Sequence, residues 1–249
     1  MKYPAATGEK HAGPDRRERE EQNMKKTELP VWAQRLLQRF PPYVWVCVCC
    51  AFAFQMLVFY GTHPLLAGRP VHDLTTIDDW IPFVPAWITV YYLAFPSWLV
   101  SAVWIISESR EHGYRFTSCY MIALLIAGIA FLAWPGTMAR PEITGSSFFE
   151  RWVAFTYSVD KPVNYCPSLH VVFSYCCWRG TLGCRKIPKW YSRWNLLLLI
   201  LVCCSTVFVK QHAFIDVPAG LLTAEAAFQI GRVTRPERLW FAAERKLRK

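Results

Sequence analysis

Six runs of apolar residues punctuate the chain: Tyr43 to Tyr60, Ile81 to Ile106, Ser118 to Trp134, Leu169 to Leu182, Leu196 to Val209 and Ala213 to Ile230. Most approach the roughly 20 residues that a helix needs to cross a bilayer. The fourth and fifth are short and are expected to extend into flanking residues that line the protein interior. The pattern predicts an all-α, polytopic membrane protein with six transmembrane helices. Pro85 and Pro96 interrupt the second run, where a kink is expected rather than a split, because the run is too short for two crossings.

Composition strengthens this reading. Of 249 residues, 53% are hydrophobic, and the mean hydropathy is +0.16, too apolar for an ordinary soluble domain. Orientation follows from the basic residues in the short connections. Lys25, Lys26, Arg35 and Arg39 precede the first span, Arg110 and Arg115 follow the second, and Arg179, Arg185, Lys186, Lys189 and Arg193 lie between the fourth and fifth. The tail adds Arg232, Arg235, Arg238, Arg245, Lys246, Arg248 and Lys249, while the connections at residues 61–80 and 135–167 hold fewer for their length. Both termini are therefore expected to be cytoplasmic.

The net charge of +10 concentrates on that side, where membrane lipids with anionic headgroups attract basic segments; nucleic acid is not an expected partner. Residues 1–30 read as a charged, disordered cytoplasmic tail, 31–232 as a six-helix membrane catalytic domain, and 233–249 as a basic cytoplasmic tail. No secretory signal is expected to precede the first span, which itself would direct insertion. Eight of the ten cysteines fall within apolar runs and read as packing residues; Cys166 and Cys184 lie outside. No spacing resembles a zinc site.

Candidate chemistry gathers at the predicted outer ends of the spans. Pro167-Ser168-Leu169-His170 opens the fourth run, and Lys210-Gln211-His212 with Asp216 lies between the fifth and sixth. Metal-free phosphoryl transfer needs cations for the phosphate oxygens, a nucleophile and an acid for the leaving alkoxide. Arg140 is either a guanidinium fork for phosphate or an arginine snorkelling to the membrane interface. Ser168 reads either as a helix cap or as part of an anion site at a helix N-terminus. His212 and Asp216 would share a face if helical, the carboxylate fixing one ring nitrogen and leaving the other free to attack phosphorus. Pro218 biases Val217 away from helical angles and makes a turn entering the span the alternative. Lys210 is either a further phosphate cation or an interfacial anchor. Glu225, inside the last run, is either a functional group or a partner for a neighbouring helix. His63, His72, Asp73, Asp78 and Asp79 occupy the first outer connection.

Arg140-Pro141, then Pro167-Ser168-Leu169-His170, then Ser205-Thr206 with His212 and Asp216, resemble in order and spacing the three motifs of the type 2 phosphatidic acid phosphatase superfamily. The likeness spans roughly residues 43–232. It implies that bundle fold, with His212 as nucleophile forming a phosphohistidine, Asp216 orienting it and His170 protonating the leaving group. Arg140 and Ser168 would hold phosphate oxygens, with Lys210 as a further charge, and no metal or other cofactor would be needed. The family usually has cations where this chain has Ala133 and Thr206. Leu169 and the Lys-Gln-His run look closer to the inositol phosphorylceramide synthase-related branch. The resemblance implies a membrane lipid phosphatase or phosphotransferase acting on a phosphate-bearing lipid, or a headgroup transferase; a non-catalytic lipid-binding or transport protein on the same scaffold is the alternative. The plasma membrane, with the site on its outer or periplasmic face, is the expected location.

Overall fold

The computed structural model describes residues 34–35, 39–75, 77–160 and 164–247. The expected disordered tail, residues 1–30, lies outside them. The chain divides at Pro41, and the unit from Pro42 onward carries the elements described below.

The protein is mostly helical. Helix α1 is Pro42–Leu66, α2 Ile88–Ile106, α3 Arg110–Ala133, α4 Phe148–Val159, α5 Leu169–Thr181, α6 Lys189–Phe208, α7 Asp216–Thr234 and α8 Glu237–Leu247. Two short strands, β1 (His72–Asp73) and β2 (Gly136–Thr137), pair in parallel with His72 opposite Gly136, and tie the α1–α2 and α3–α4 connections together.

Among the described residues four helical segments are long and apolar enough to cross a membrane: Pro42–Leu66, Pro85–Ile106, Arg110–Ala133 and Lys189–Phe208. Their outward residues are large and apolar, including Phe52, Leu57, Leu99, Val100, Leu125, Ile129, Leu197 and Ile200. Such a belt would be costly in water and is at home in hydrocarbon. The chain is thus a membrane protein. The fourth apolar run becomes the 13-residue α5 and the sixth the 19-residue α7, neither within those limits of length and apolarity.

The prolines act as their geometry requires. Pro85 opens a 3-10 turn, Pro85–Trp87, that leads into α2, and Pro96 sits inside that helix. Pro218 falls in the first turn of α7, where a missing N–H loses no intrahelical bond. Two amphipathic helices were absent from the six-run pattern. Helix α4 starts in a capping box in which Ser147 and Glu150 satisfy each other's backbone amides, the Ser-x-x-Glu signature of a helix start. Helix α8 occupies residues expected to form a tail. It lies on α3 through stacking of Trp240 on Tyr114, with ring centroids 5.3 Å apart, and a 2.9 Å bond from the Trp240 indole to Ser118.

The interior is assembled around α5, which touches α2, α3, α6 and α7. Trp98 of α2 donates to Ser174 at 2.9 Å, and Ser101 bonds Tyr191 and Asn195 of α6 at 2.9 Å each. Polar pairs of this kind satisfy one another where lipid offers no partner. Helices α5 and α7 approach closely at Gly220, where a Cβ would stand 3.0 Å from the Ser168 carbonyl oxygen and 3.0 Å from Val171 Cβ. That contact brings the first turns of the two helices together.

Gly220→Val is therefore expected to force α7 away from α5, lower stability by about 1–3 kcal/mol, and lower the melting temperature in neutral detergent. Gly61→Val, where among the described residues an added Cβ would meet the Leu57 side chain at an ordinary 3.8 Å, serves as the control and should change little.

Candidate active site

The turn between α6 and α7 holds the third motif. Its path is set by the Thr206 carbonyl, which accepts from the backbone amides of Gln211 at 2.9 Å and His212 at 3.1 Å. Lys210 adopts a left-handed φ of 52°, a conformation that costs a side-chain-bearing residue about 1–2 kcal/mol. Its ammonium offsets this by donating to the carbonyls of Asp78 at 2.5 Å and Ile81 at 2.7 Å. The Asp78 carboxylate accepts from the Phe214 amide at 2.8 Å. The first connection therefore clasps the turn from both sides.

Within the clasp, His212 Nδ1 lies 3.1 Å from Asp216 Oδ2 and 3.1 Å from the Tyr165 carbonyl oxygen. Both are acceptors, so Nδ1 carries the proton and Nε2 keeps its lone pair. The Ala213 amide donates to the same Asp216 oxygen at 3.0 Å, and Asp216 is fully buried. The pairing arises from a turn leading into α7, because Asp216 is the first helical residue and His212 precedes the helix. His170 Nδ1 stands 3.3 Å from His212 Nε2, and by the same reasoning His170 is the donor there. The His170 ring rests against Tyr91, with centroids 4.6 Å apart, and against Trp98 and Phe95. Ser168 caps α5 by accepting from the Val171 amide, and its own amide donates to the Asp216 carbonyl at 3.3 Å.

Arg140 reaches the same place from the α3–α4 connection. Its Nε donates to the Tyr165 hydroxyl at 3.1 Å and Nη1 to the Asp160 carbonyl at 2.7 Å, and the guanidinium lies 4.6 Å from the Tyr157 ring centroid. Its Nη2 protons have no acceptor among the described residues. A small cavity of about 20 Å³ is lined by Arg140, Asp160, Asn164, Gln211, His170 and His212, among others. It adjoins an apolar cleft of about 320 Å³ between α1, α2, α4 and α5, and Asp160, Leu169 and His170 line both. The cleft walls include Phe59, Tyr91, Tyr92, Phe95 and Trp98, a surface suited to hydrocarbon chains.

Of the residues singled out in the sequence, the fold gathers His212, Asp216, His170 and Arg140. Ser168 touches the group through its backbone and lies outside the cavity lining. Lys210 is directed into the clasp, and the Thr206 hydroxyl bonds the Cys203 carbonyl of its own helix at 3.1 Å. Glu225 bonds the α5 side chains Tyr175 at 2.6 Å and Arg179 at 3.5 Å, and also Gln229. Asp160, Gln211, Tyr91 and Tyr165 are additions. Gln211 Nε2 donates to Asp160 Oδ2 at 2.5 Å. Asp160 escaped notice because it caps the unrecognised helix α4; the Ser147-x-x-Glu150 signature would have exposed it.

Among the described residues no group of three or more His, Cys, Asp and Glu side chains is arranged to hold a metal ion. All ten cysteines are free thiols. No family model, no curated protein and no solved structure matches this chain, so the class it defines, a helical membrane protein with a paired-histidine cavity, rests on its own geometry.

Burial, reinforced by the neighbouring Asp216 charge, pushes the Cys166 thiol up to about 12. Raising a thiol pKa keeps it protonated at neutral pH and withholds the reactive thiolate. In a variant retaining Cys166 as its single cysteine, iodoacetamide labelling at pH 8 should run about 10³-fold slower than at an ordinary exposed cysteine and accelerate as pH rises toward 12. Asp216→Asn, which removes the second cause, should speed it. Labelling at the ordinary rate would contradict this environment.

Proposed function

We propose that the protein is an integral membrane lipid phosphatase or phosphotransferase of the type 2 phosphatidic acid phosphatase kind, working through a phosphohistidine. In this reading α5 and α7 complete a six-helix bundle, both termini are cytoplasmic, and the histidine cavity opens at the outer face of the plasma membrane. The observation that carries the proposal is the hydrogen-bonded line Asp216–His212–His170 beside Arg140. It supplies an oriented nucleophile, an acid and a phosphate cation within one cavity that adjoins an apolar cleft.

The chemistry follows from the tautomers. His212 Nε2 forms a bond to phosphorus as the bond from phosphorus to the leaving oxygen breaks. His170, protonated beside the incoming phosphate charge, gives its proton to that oxygen. Asp216 holds the Nδ1 proton and stabilises the positive charge that develops on the ring. In the second step neutral His170 takes a proton from water or a lipid alcohol. The freed oxygen attacks phosphorus, the phosphorus–nitrogen bond breaks, and His212 is restored. Arg140 Nη2 neutralises phosphate oxygens throughout.

One observation favours the headgroup transferase form. Among the described residues Arg140 is the single cation lining the cavity, while Asp160 adds a carboxylate; Lys210 is committed elsewhere. A phosphate monoester brings two negative charges at neutral pH and a diester one, so this balance favours the diester. The Asp160–Gln211 pair stands where a headgroup hydroxyl would find an acceptor.

Mass spectrometry of products in mixed micelles supplied with lipid phosphate, glycerophospholipid and a lipid alcohol such as diacylglycerol or ceramide tests the proposal. Turnover is expected in the wild type, with none in His212→Ala at an unchanged melting temperature and a loss of about 10²–10⁴ in kcat for Asp216→Asn. Asp160→Asn should raise monoester turnover relative to diester by about tenfold. A wild type that binds lipid saturably without converting it would establish the non-catalytic alternative, and normal activity in His212→Ala would remove the mechanism.

A further inference from the structure

The opposite end of the bundle carries a second polar chamber. Helix α5, at 13 residues, is about 20 Å long; His170 stands at its start and Arg179 in its last turn. Around that last turn lies a cavity of about 390 Å³ between α3, α5 and α7. Arg115, Arg179, Arg232 and Arg235 line it, with no Asp or Glu among the described lining residues. Phe116, Leu182 and Phe228 give it apolar walls. Close helix contact fixes its shape: a Cβ on Gly231 would fall 2.4 Å from Cys119 Sγ, so α7 lies directly on α3 there.

The four guanidinium groups are unequally satisfied. Arg115 bonds Glu237 and Glu111 at 2.8 Å each, yet its Nε is buried without a partner. Arg179 pairs with Glu225 at 3.5 Å and lies 5.4 Å from the Phe228 ring centroid. Arg232 and Arg235 have no ion pair among the described residues. Four like charges around one chamber repel, and an anion between them relieves the repulsion. Guanidinium forks match the geometry of phosphate, and the chamber has the size of ordinary ligand sites.

Helix α8 gives the depth of the chamber. It is strongly amphipathic, with Leu239 and Leu247 exposed on one side and Arg238, Arg245 and Lys246 among its polar residues, the composition of a helix lying in the headgroup layer. Burial alone would push the Glu237 carboxyl up, but its bonds to Arg115 and to backbone outweigh that and hold it below the usual range. The start of α8 is thereby tied to Arg115, beside the chamber. Basic pockets between membrane helices at this depth receive phosphorylated headgroups.

We propose that this chamber is a binding site for a phosphate-bearing anion, held by Arg115, Arg179, Arg232 and Arg235, at the end of the bundle away from the histidine pair. The site is independent of the catalytic reading. An occupant would bridge α3, α5 and α7, and would stabilise the folded state by binding it in preference to the unfolded one.

The test measures melting temperature of the full chain in neutral detergent with added phosphatidylglycerol, phosphatidylcholine or inorganic phosphate. Phosphatidylglycerol is expected to raise it by several degrees and phosphatidylcholine not to. A matching rise with inorganic phosphate would assign a free anion; a rise with phosphatidylglycerol alone would assign the lipid headgroup. Arg232→Gln combined with Arg235→Gln should lose most of the rise, while Arg245→Gln combined with Lys246→Gln, on the surface of α8, should keep it. If the first pair fails to fold, Arg232→Lys with Arg235→Lys keeps the charge but loses the fork, and should shift the titration midpoint about tenfold higher. Equal stabilisation of all variants, or equal effects of the two lipids, would overturn the site.

Discussion

The bond between His212 and Asp216 depends on a turn that would not hold its shape unaided. Its residues span two helices, one of them sits at a left-handed φ, and its hydrogen-bonding groups are largely buried. The structure secures it by drawing the first connection across it, with Asp78 accepting from Phe214 and Lys210 donating to two carbonyls of that connection. A buried carboxylate is tolerated there because the imidazole and a backbone amide both donate to it. Once the imidazole is fixed, its tautomer is fixed, and with it the nitrogen that faces His170. The clasp is thus what makes the site rigid.

Hydrocarbon as solvent explains how the rest is arranged. Large apolar side chains point outward from α1, α2, α3 and α6, and the interior combines buried aromatic and aliphatic side chains such as Tyr120, Phe131 and Leu198 with short polar pairs. Trp98 with Ser174 and Ser101 with Tyr191 and Asn195 join helices, and Thr62 with Asn164 joins α1 to the α4–α5 connection. Polar side chains crowd toward the two ends of the bundle. At one end they form the histidine cavity beside an aromatic cleft, and at the other a chamber of arginines beside the start of α8. Helix α5 belongs to both, so its two termini face two different chemistries.

Charge distinguishes the ends. Among the described residues the histidine cavity is lined by one arginine, Arg140, and one carboxylate, Asp160, while Asp216 lies buried behind His212. Among the described residues the far chamber is lined by four arginines, of which Arg115 and Arg179 have acidic partners outside the lining and Arg232 and Arg235 have no ion pair.

Much of this was legible in the chain. Apolar run lengths anticipated the four helices that are long and apolar enough to cross a membrane, and the fourth and sixth runs located helices α5 and α7, because transfer of side chains into lipid is local and nearly additive along the sequence. The motif residues Arg140, His170, His212 and Asp216 were legible as residue types at the ends of those runs, and Pro218 favoured the turn that holds His212. Tertiary structure alone decided the rest. Lys210 looked like a phosphate cation by position, but its direction is set by carbonyls more than a hundred residues earlier in the chain. Asp160 and Gln211 meet only because α4 folds back over the cavity, and α4 is too short and too amphipathic to register as an apolar run. Three arginines of the far chamber lie on three helices and the fourth, Arg235, caps the end of α7, and their convergence goes with close contacts at Gly220 and Gly231 that no local pattern encodes.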